Sequence, residues 1–219
     1  MYRTTMARSS EGWKAERKRL VQDLGKLLIK TEALRFGTFT LSSGRLSSYY
    51  VDLRIVPSFP GAFKMAVESY IALIRNTVGD VQAIGGVPTA GLPYAAAVAY
   101  TLGKPLLYAR TAEHQHGRGR MIEGVVTPGR RLTLLDDLVT TGGSLIGAAE
   151  VVRAEGGIVE HAVVLIDRLE GGAEELRKKG ISLHSLSTVL ELAELLSEMQ
   201  AIGEDQVRAI RAQVRARET

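Results

Sequence analysis

The chain of 219 residues contains no cysteine, only six prolines and few aromatic residues. The absence of cysteine excludes disulfide bonds, thiolate zinc sites and a cysteine nucleophile. Because 45% of the residues are hydrophobic and prolines are few, disordered and fibrous classes are excluded as well. The length predicts one globular domain, residues 1–219, built around a single core.

Long hydrophobic runs are also missing. The longest strongly apolar stretch, residues 91–102, is far shorter than the roughly 20 residues that span a bilayer, and it predicts a buried helix. Residues 1–10 include two arginines with no apolar segment after them, which favours a flexible tail over a secretion signal. These absences predict a cytoplasmic protein that does not bind membranes.

The charge balance shows no large excess of either sign: 28 Lys and Arg residues against 24 Asp and Glu residues give a net charge of +4. A modest positive excess suits anionic small molecules as well as nucleic acid. Near the C-terminus Arg208, Arg211 and Arg215 share one face of a predicted helix, for which a solvated surface is the ordinary explanation. No helix-turn-helix pattern is evident, so nucleic acid is not the expected partner.

The sequence alternates between helical periodicity and short apolar runs. Helical spacing covers residues 11–31 and 57–76, and aromatic and β-branched runs at 36–41 and 48–54 predict a strand pair between them. From residue 81 onward, an apolar run, a small-residue turn and a helix recur; the runs are VQAIGG, KPLLYA, RLTLLDD, HAVVLIDR and ISLHSL. This alternation predicts an α/β fold with a central parallel sheet flanked by helices. Residues 111–120, TAEHQHGRGR, predict a long exposed loop.

The segment LTLLDDLVTTGGS, residues 132–144, carries the clearest chemistry. Asp136 and Asp137 end an apolar strand, and a turn rich in hydroxyls and glycines then opens a helix: Thr140, Thr141, Gly142, Gly143 and Ser144. Glycines let the backbone approach a phosphate, and the first helical turn supplies N–H donors and a favourable dipole. The two acids suit ribose hydroxyls or a hydrated magnesium ion. The pattern GxxxxGK[ST] is absent, so this is not a Walker-type loop.

This strand, acid pair and turn resemble the signature of the type I phosphoribosyltransferases. The resemblance implies a central parallel sheet with a small N-terminal hood to which residues 36–56 contribute. It also implies Mg²⁺ as cofactor, carried by the pyrophosphate of the substrate with no direct protein ligand. The residues implied to bind phosphoribosyl pyrophosphate in this segment are Asp136, Asp137, Leu138, Val139, Thr140, Thr141, Gly142, Gly143 and Ser144.

Four further segments are similar to the orotate phosphoribosyltransferase family. They are the hood segment 36–54, the pyrophosphate loop IGGVPTAGLP at 84–93, the loop that begins at Arg110 and contains His116, and VVLIDRLEGG at 163–172. With the signature, they cover about residues 36–187.

The resemblance implies transfer of a phosphoribosyl group to orotate, which gives orotidine 5′-phosphate and pyrophosphate on the route to UMP. Thr140 and Arg168 are implied to bind orotate. Arg110, His114 and His116 are implied to bind phosphoribosyl pyrophosphate, and the catalytic set would be these three with the acid pair. A homodimer is implied, in which the loop reaches the neighbouring site.

The loop departs from the family pattern RKExKxHG, since Thr111 and His114 stand at the two lysine positions. Ser42 also stands where many members have a lysine. We expect protonated His114 to supply the charge of the second lysine. Two alternatives stay open: a slow or non-catalytic paralogue that senses phosphoribosyl pyrophosphate or a nucleotide, and a transferase for another base. Arg168 and the tyrosines at 49 and 50 argue against another base.

Overall fold

The computed structural model describes residues 10–40, 46–110 and 121–218. The predicted tail, residues 1–10, lies outside this description except for Ser10, which begins the first helix. The predicted loop at 111–120 and residues 41–45 of the expected hood also lie outside it.

The described chain alternates helices and strands as the sequence predicts. The helices are α1 Ser10–Lys30, α2 Pro60–Thr77, α3 Gly91–Leu102, α4 Gly143–Ala154, α5 Gly172–Lys178, α6 Val189–Glu198 and α7 Glu204–Glu218, and a 3₁₀ helix covers Leu53–Ser58. The strands are β1 Leu34–Thr40, β2 Leu46–Val51, β3 Ala83–Gly86, β4 Leu106–Ala109, β5 Ile122–Glu123, β6 Arg131–Leu135, β7 Leu138–Val139, β8 Ile158–Asp167 and β9 Ser182–Thr188.

Seven strands form the central sheet, in the order β5-β4-β3-β6-β8, with β7 and β9 also pairing with β8. All pairs in it are parallel except β4 with β5. The predicted central parallel sheet is therefore confirmed with one correction, an antiparallel edge. At this edge Tyr108 pairs with Glu123 and Ala109 with Ile122.

Both faces of this sheet are covered. On β8, Val163 and Leu165 face a core shared with α1, α2, α3, α6 and α7, whereas Ala162 and Val164 face a second cluster shared with α4 and α5. Apolar residues on both sides of one strand require cover on both sides, which is why the runs in the sequence predict this layered arrangement.

The hood hairpin, β1 and β2, is a separate antiparallel pair that confirms the predicted strand pair. Its register pairs Phe36 with Tyr49 and Arg35 with Tyr50. The Phe39 and Tyr50 rings stack with their centroids 5.5 Å apart. The 3₁₀ helix follows, and Pro60 then opens α2 at its first turn, as its fixed φ favours.

None of the helices in the described ranges combines the length and the apolar composition that crossing a membrane requires. Of the three arginines near the C-terminus, two pair with acids on the surface. Arg208 lies 3.6 Å from Glu204, and Arg211 lies 2.7 Å from Glu194 of α6. A solvated helix face accounts for them.

Candidate active site

A cleft of about 760 Å³ opens where β6 ends, between the hood hairpin and the N-termini of α3 and α4. Its walls come from five separate parts of the sequence. The lining residues are Thr40, Tyr50, Val51, Asp52, Arg54, Pro88, Thr89, Ala90, Asp136, Asp137, Leu138, Thr140, Thr141, Ser144, Arg168 and Glu170. Seven of the residues predicted from the sequence thus meet in one cavity: Asp136, Asp137, Leu138, Thr140, Thr141, Ser144 and Arg168.

The acid pair lies where strand pairing along β8 changes from β6 to β7. Asp136 donates its N–H to Val163 (3.2 Å), and Asp137 accepts from the N–H of Leu165 (3.0 Å), so the backbone stays tied to β8. The Tyr70 hydroxyl donates to the carbonyl of Asp136 at 2.6 Å. The two side chains are only 9% and 8% exposed, which fixes them at the floor of the cleft.

Burial governs the electrostatics of this pair. It raises the pKa of Asp136 well above its ordinary value, and the neighbouring charge of Asp137 adds to the rise. Burial raises the pKa of Asp137 as well, but the Leu138 N–H and the positive charge of Arg54 act against that rise. Two adjacent buried acids therefore hold charge at a cost, and hydroxyl donors from a ligand would reduce that cost.

The turn after the acid pair is packed tightly against the start of α5. Gly142 precedes α4 with φ of 82°, a conformation that favours glycine. Gly172 donates to the carbonyl of Thr140 at 3.0 Å, and a Cβ at Gly172 would lie 2.5 Å from that oxygen. The first N–H groups of α4 have no partner within the helix, so the turn presents donors for an anion.

The loop after β3 reaches the acid pair because Gly91 has no side chain. A Cβ there would lie 2.6 Å from the carbonyl oxygen of Leu135 and 2.8 Å from the Cα of Asp136. This close approach of α3 brings residues 88–90 into the cleft wall beside the acids. The segment that resembles a pyrophosphate loop is thereby part of the same cavity.

Arg168 leaves the end of β8 and is only 3% exposed. Its guanidinium carbon lies 4.8 Å from the centroid of the Tyr49 ring, and its Nε lies 3.0 Å from Oε1 of Glu170. Nη2 is buried without a hydrogen-bond partner among residues 10–40, 46–110 and 121–218. An anionic ligand oxygen would satisfy this donor.

Sequence reasoning missed a second polar group in the cleft. Arg54 donates to both carboxylate oxygens of Asp52 (2.7 and 2.9 Å) and to the Tyr50 hydroxyl (2.7 Å). These hydrogen bonds lower the pKa of Asp52 and, with its charge, raise the pKa of Arg54 above its ordinary value. The expected strand run 48–54 ends at Val51, and Asp52 instead caps the 3₁₀ helix that contains Arg54, so strand alternation gave no signal for this pair. Glu170, which lies two residues after Arg168, was missed as well.

Several predicted residues are not brought to the cleft wall. Arg110 is the last residue of the described range 46–110 and does not line the cavity. Its Nη1 lies 3.5 Å from Oε1 of Glu123. The Val139 side chain is 2% exposed and packs in the second core cluster, and the glycines at 142 and 143 do not line the cavity either. His114 and His116 lie outside the described residues. Where the structure is described, no group of three or more His, Asp or Glu residues is placed to hold a metal.

Comparison with known proteins gives one consistent family. The model of the phosphoribosyl transferase domain matches residues 60–188. The chain is 42% identical to the orotate phosphoribosyltransferase of Cenarchaeum symbiosum over 197 residues, which is 89% of this chain and 98% of the relative. It is 39% identical to the orotate phosphoribosyltransferase of Sulfolobus acidocaldarius over 86% of this chain and 94% of the relative.

Solved structures agree with the sequence relatives. The crystal structure of orotate phosphoribosyltransferase from Aeropyrum pernix is similar with a TM-score of 0.73 at 37% identity, covering 82% of this chain and 99% of that one. UMP synthase of Leishmania donovani is similar with a TM-score of 0.79 at 33% identity, but 88% of this chain spans only 42% of that longer chain. A matched domain, full-length relatives and a shared fold all lead to one conclusion: the chain belongs to the orotate phosphoribosyltransferase family.

Proposed function

We propose that the protein transfers the phosphoribosyl group of phosphoribosyl pyrophosphate to orotate, giving orotidine 5′-phosphate and pyrophosphate in pyrimidine biosynthesis. One observation carries this proposal beyond family membership. The acid pair, residues of the turn that follows it and Arg168 line a single cleft, which supports the binding of ribose, phosphate and an anionic base at one site.

The turn from Thr140 to Ser144 would hold the 5′-phosphate, and Asp136 and Asp137 would accept hydrogen bonds from the ribose hydroxyls. In the reaction, the bond between the anomeric carbon and the pyrophosphate oxygen breaks, and its electron pair leaves with the pyrophosphate. A ring nitrogen of orotate forms the new bond to that carbon and releases its proton to water. Because the carbon becomes oxocarbenium-like, the acid pair below the ribose favours the positive charge that develops.

Arg168 would bind the carboxylate of orotate, with the Thr140 hydroxyl nearby as a second polar contact. The unpartnered Nη2 of Arg168 supports this assignment, because a buried guanidinium donor is costly until a ligand oxygen accepts from it. The same group argues against a purine, since purine bases carry no carboxylate.

Magnesium would enter as a complex with phosphoribosyl pyrophosphate, whose charge it neutralises in the leaving group. The donor set of the cleft fits such a substrate-borne ion. Asp52 is already engaged by Arg54, whereas Asp136 and Asp137 offer carboxylate oxygens that accept from ribose hydroxyls or from water around the ion.

A spectrophotometric assay tests the function directly. With phosphoribosyl pyrophosphate and Mg²⁺, orotate absorbance should fall with time and pyrophosphate should accumulate in equal amount. Adenine and hypoxanthine serve as control bases and should not be consumed. Binding of phosphoribosyl pyrophosphate without consumption of any base would instead favour a sensor and contradict the proposal.

We also propose a homodimer in which Arg110, His114 and His116 act on the pyrophosphate bound to the partner subunit. In support, Arg110 does not line the cleft of its own chain and is oriented towards Glu123. Mixing Arg110→Ala protein with Asp137→Asn protein should restore part of the activity, because one site of the heterodimer then has both an intact loop and an intact acid pair. A monodisperse monomer in light scattering under assay conditions would contradict the dimer.

The expected compartment is the cytoplasm, where the anionic substrates of nucleotide biosynthesis are available.

A further inference from the structure

Helix α7 contacts strand β2 of the hood hairpin through the polar side chain of Gln213. Its Oε1 accepts the N–H of Ser48 at 3.0 Å and lies 3.0 Å from the Ser47 hydroxyl and 3.3 Å from the Ser48 hydroxyl. Ser47 has a single hydroxyl hydrogen, and the carbonyl oxygen of Tyr49 is closer to it, at 2.6 Å. The two lone pairs of Oε1 are therefore matched by the N–H and the hydroxyl of Ser48.

The contact depends on the amide oxygen of Gln213, which is the acceptor. A backbone N–H can pair only with an acceptor, so Ser48 determines which end of the amide faces the hairpin. The amide nitrogen is buried and has no hydrogen-bond partner in the described parts of the chain. An acceptor at this position is thus required, whereas the NH₂ group is not.

Helix α7 is itself fixed to the body of the protein. Val207, Ile210 and Val214 are 7%, 1% and 3% exposed and belong to the main core. Arg211 pairs with Glu194 of α6 at 2.7 Å. Gln213 therefore ties strand β2 to a helix that cannot shift without disturbing the core.

Tyr49 follows Ser48, and its ring lies beneath the guanidinium of Arg168. Tyr49 is fully buried, and its hydroxyl has no hydrogen-bond partner among the described residues. No bond at the hydroxyl end holds the ring, so its position depends on its packing and on the backbone of β2. That backbone is the segment that Gln213 binds.

We propose that Gln213 is a positioning residue for the orotate side of the active site. It holds β2 at Ser48, which sets the Tyr49 ring, and the ring in turn sets the guanidinium of Arg168. This inference rests on the proposed function, because it takes Arg168 to bind orotate. Gln213 lies outside the matched family domain, residues 60–188, as does the hood hairpin.

The test compares two substitutions at the same position. Gln213→Met keeps the length of the side chain and removes the acceptor, whereas Gln213→Glu keeps an acceptor oxygen and removes the NH₂ group. We expect Gln213→Met to raise KM for orotate about fivefold or more, as the loss of the hydrogen bonds from Ser48 allows, with KM for phosphoribosyl pyrophosphate changed less than about twofold. Gln213→Glu should keep KM for orotate near the value of the parent protein. Arg215→Met, a substitution at an exposed position on the same helix, should change neither KM.

Equal changes in both KM values, or no change in Gln213→Met, would overturn the proposal, because a merely structural contact would not act on one substrate. If Gln213→Met does not fold, Gln213→Asn withdraws the same acceptor by one methylene and should show the same selectivity. If the parent protein consumes no orotate, the proposed function fails. Calorimetric titration with orotate then decides on Gln213: weaker binding in the variant supports its role, and equal binding refutes it.

Discussion

Asp137→Asn is expected to lower kcat/KM at least about tenfold, on the order of 1.4 kcal/mol of transition-state stabilisation, and to raise the melting temperature at neutral pH. Activity falls because the amide cannot offer two acceptor oxygens to the ribose or stabilise a positive charge. Stability rises because the substitution removes one of two adjacent buried charges, while Oδ1 can still accept the N–H of Leu138 at 2.8 Å. Asp136→Asn should likewise lower kcat/KM and raise the melting temperature.

The sign of the pH dependence follows from the raised pKa values of both acids. A folded state that binds protons more tightly than the unfolded chain loses stability as pH rises from the unfolded pKa through the folded one. The advantage of the asparagine variants should therefore be largest near neutral pH and shrink as pH falls towards about 4, where unfolded aspartate titrates. Thermal melting from pH 4 to 8 measures this.

Asp167→Asn is the matched control for this prediction. Asp167 is also a buried acid at a strand end, with its pKa raised by burial, and its Oδ1 accepts the N–H of Leu169 at 2.8 Å. It does not line the cleft. Its substitution should stabilise the protein near neutral pH and leave kcat/KM unchanged. Wild-type turnover in both variants of the acid pair would refute the ribose role.

Arg168→Ala is expected to raise KM for orotate far more than KM for phosphoribosyl pyrophosphate, and to destabilise the protein. Removal of the guanidinium leaves Glu170 as a buried acid without its cation, and breaking a buried pair costs about 3–5 kcal/mol. It also removes the group that lies over the Tyr49 ring. Steady-state kinetics with each substrate varied, together with chemical denaturation, measures both effects.

A double variant separates binding from stability. Arg168→Met with Glu170→Gln removes both charges and keeps most of the packing volume, so the free energy of unfolding should recover while KM for orotate stays high. Recovery of both would mean that Arg168 supports structure alone. An equal rise in both KM values would place the residue on the ribose side.

The sequence predicted what is contiguous along the chain. The apolar run before Asp136, the acid pair and the glycine-rich turn follow one another, so local rules alone place them at a strand end and a helix start. The strand pair of the hood was equally local. For the same reason Arg168 could be placed at the end of β8 directly from the sequence.

Contacts between distant residues were not predictable in this way. The burial of Arg168 on the Tyr49 ring depends on packing between the hood and the central sheet, and the role of Gln213 joins positions 165 residues apart. The edge strand β5 is two residues long and carries no periodicity that a sequence pattern could reveal. The Asp52 and Arg54 pair lies at the start of the 3₁₀ helix, and only the fold shows that it borders the cleft.

The contact between β2 and α7 has a consequence for how the active site is made on the ribosome. The hood is synthesised early, whereas its partner Gln213 emerges from the ribosome 165 residues after Ser48. The sheet and the turn at residues 140–144, all within residues 83–188, can start to fold while Gln213 is still in the exit tunnel. A nascent chain therefore completes the acid-pair side of the cleft first, and the side on which Arg168 lies against Tyr49 is finished only after Gln213 has emerged.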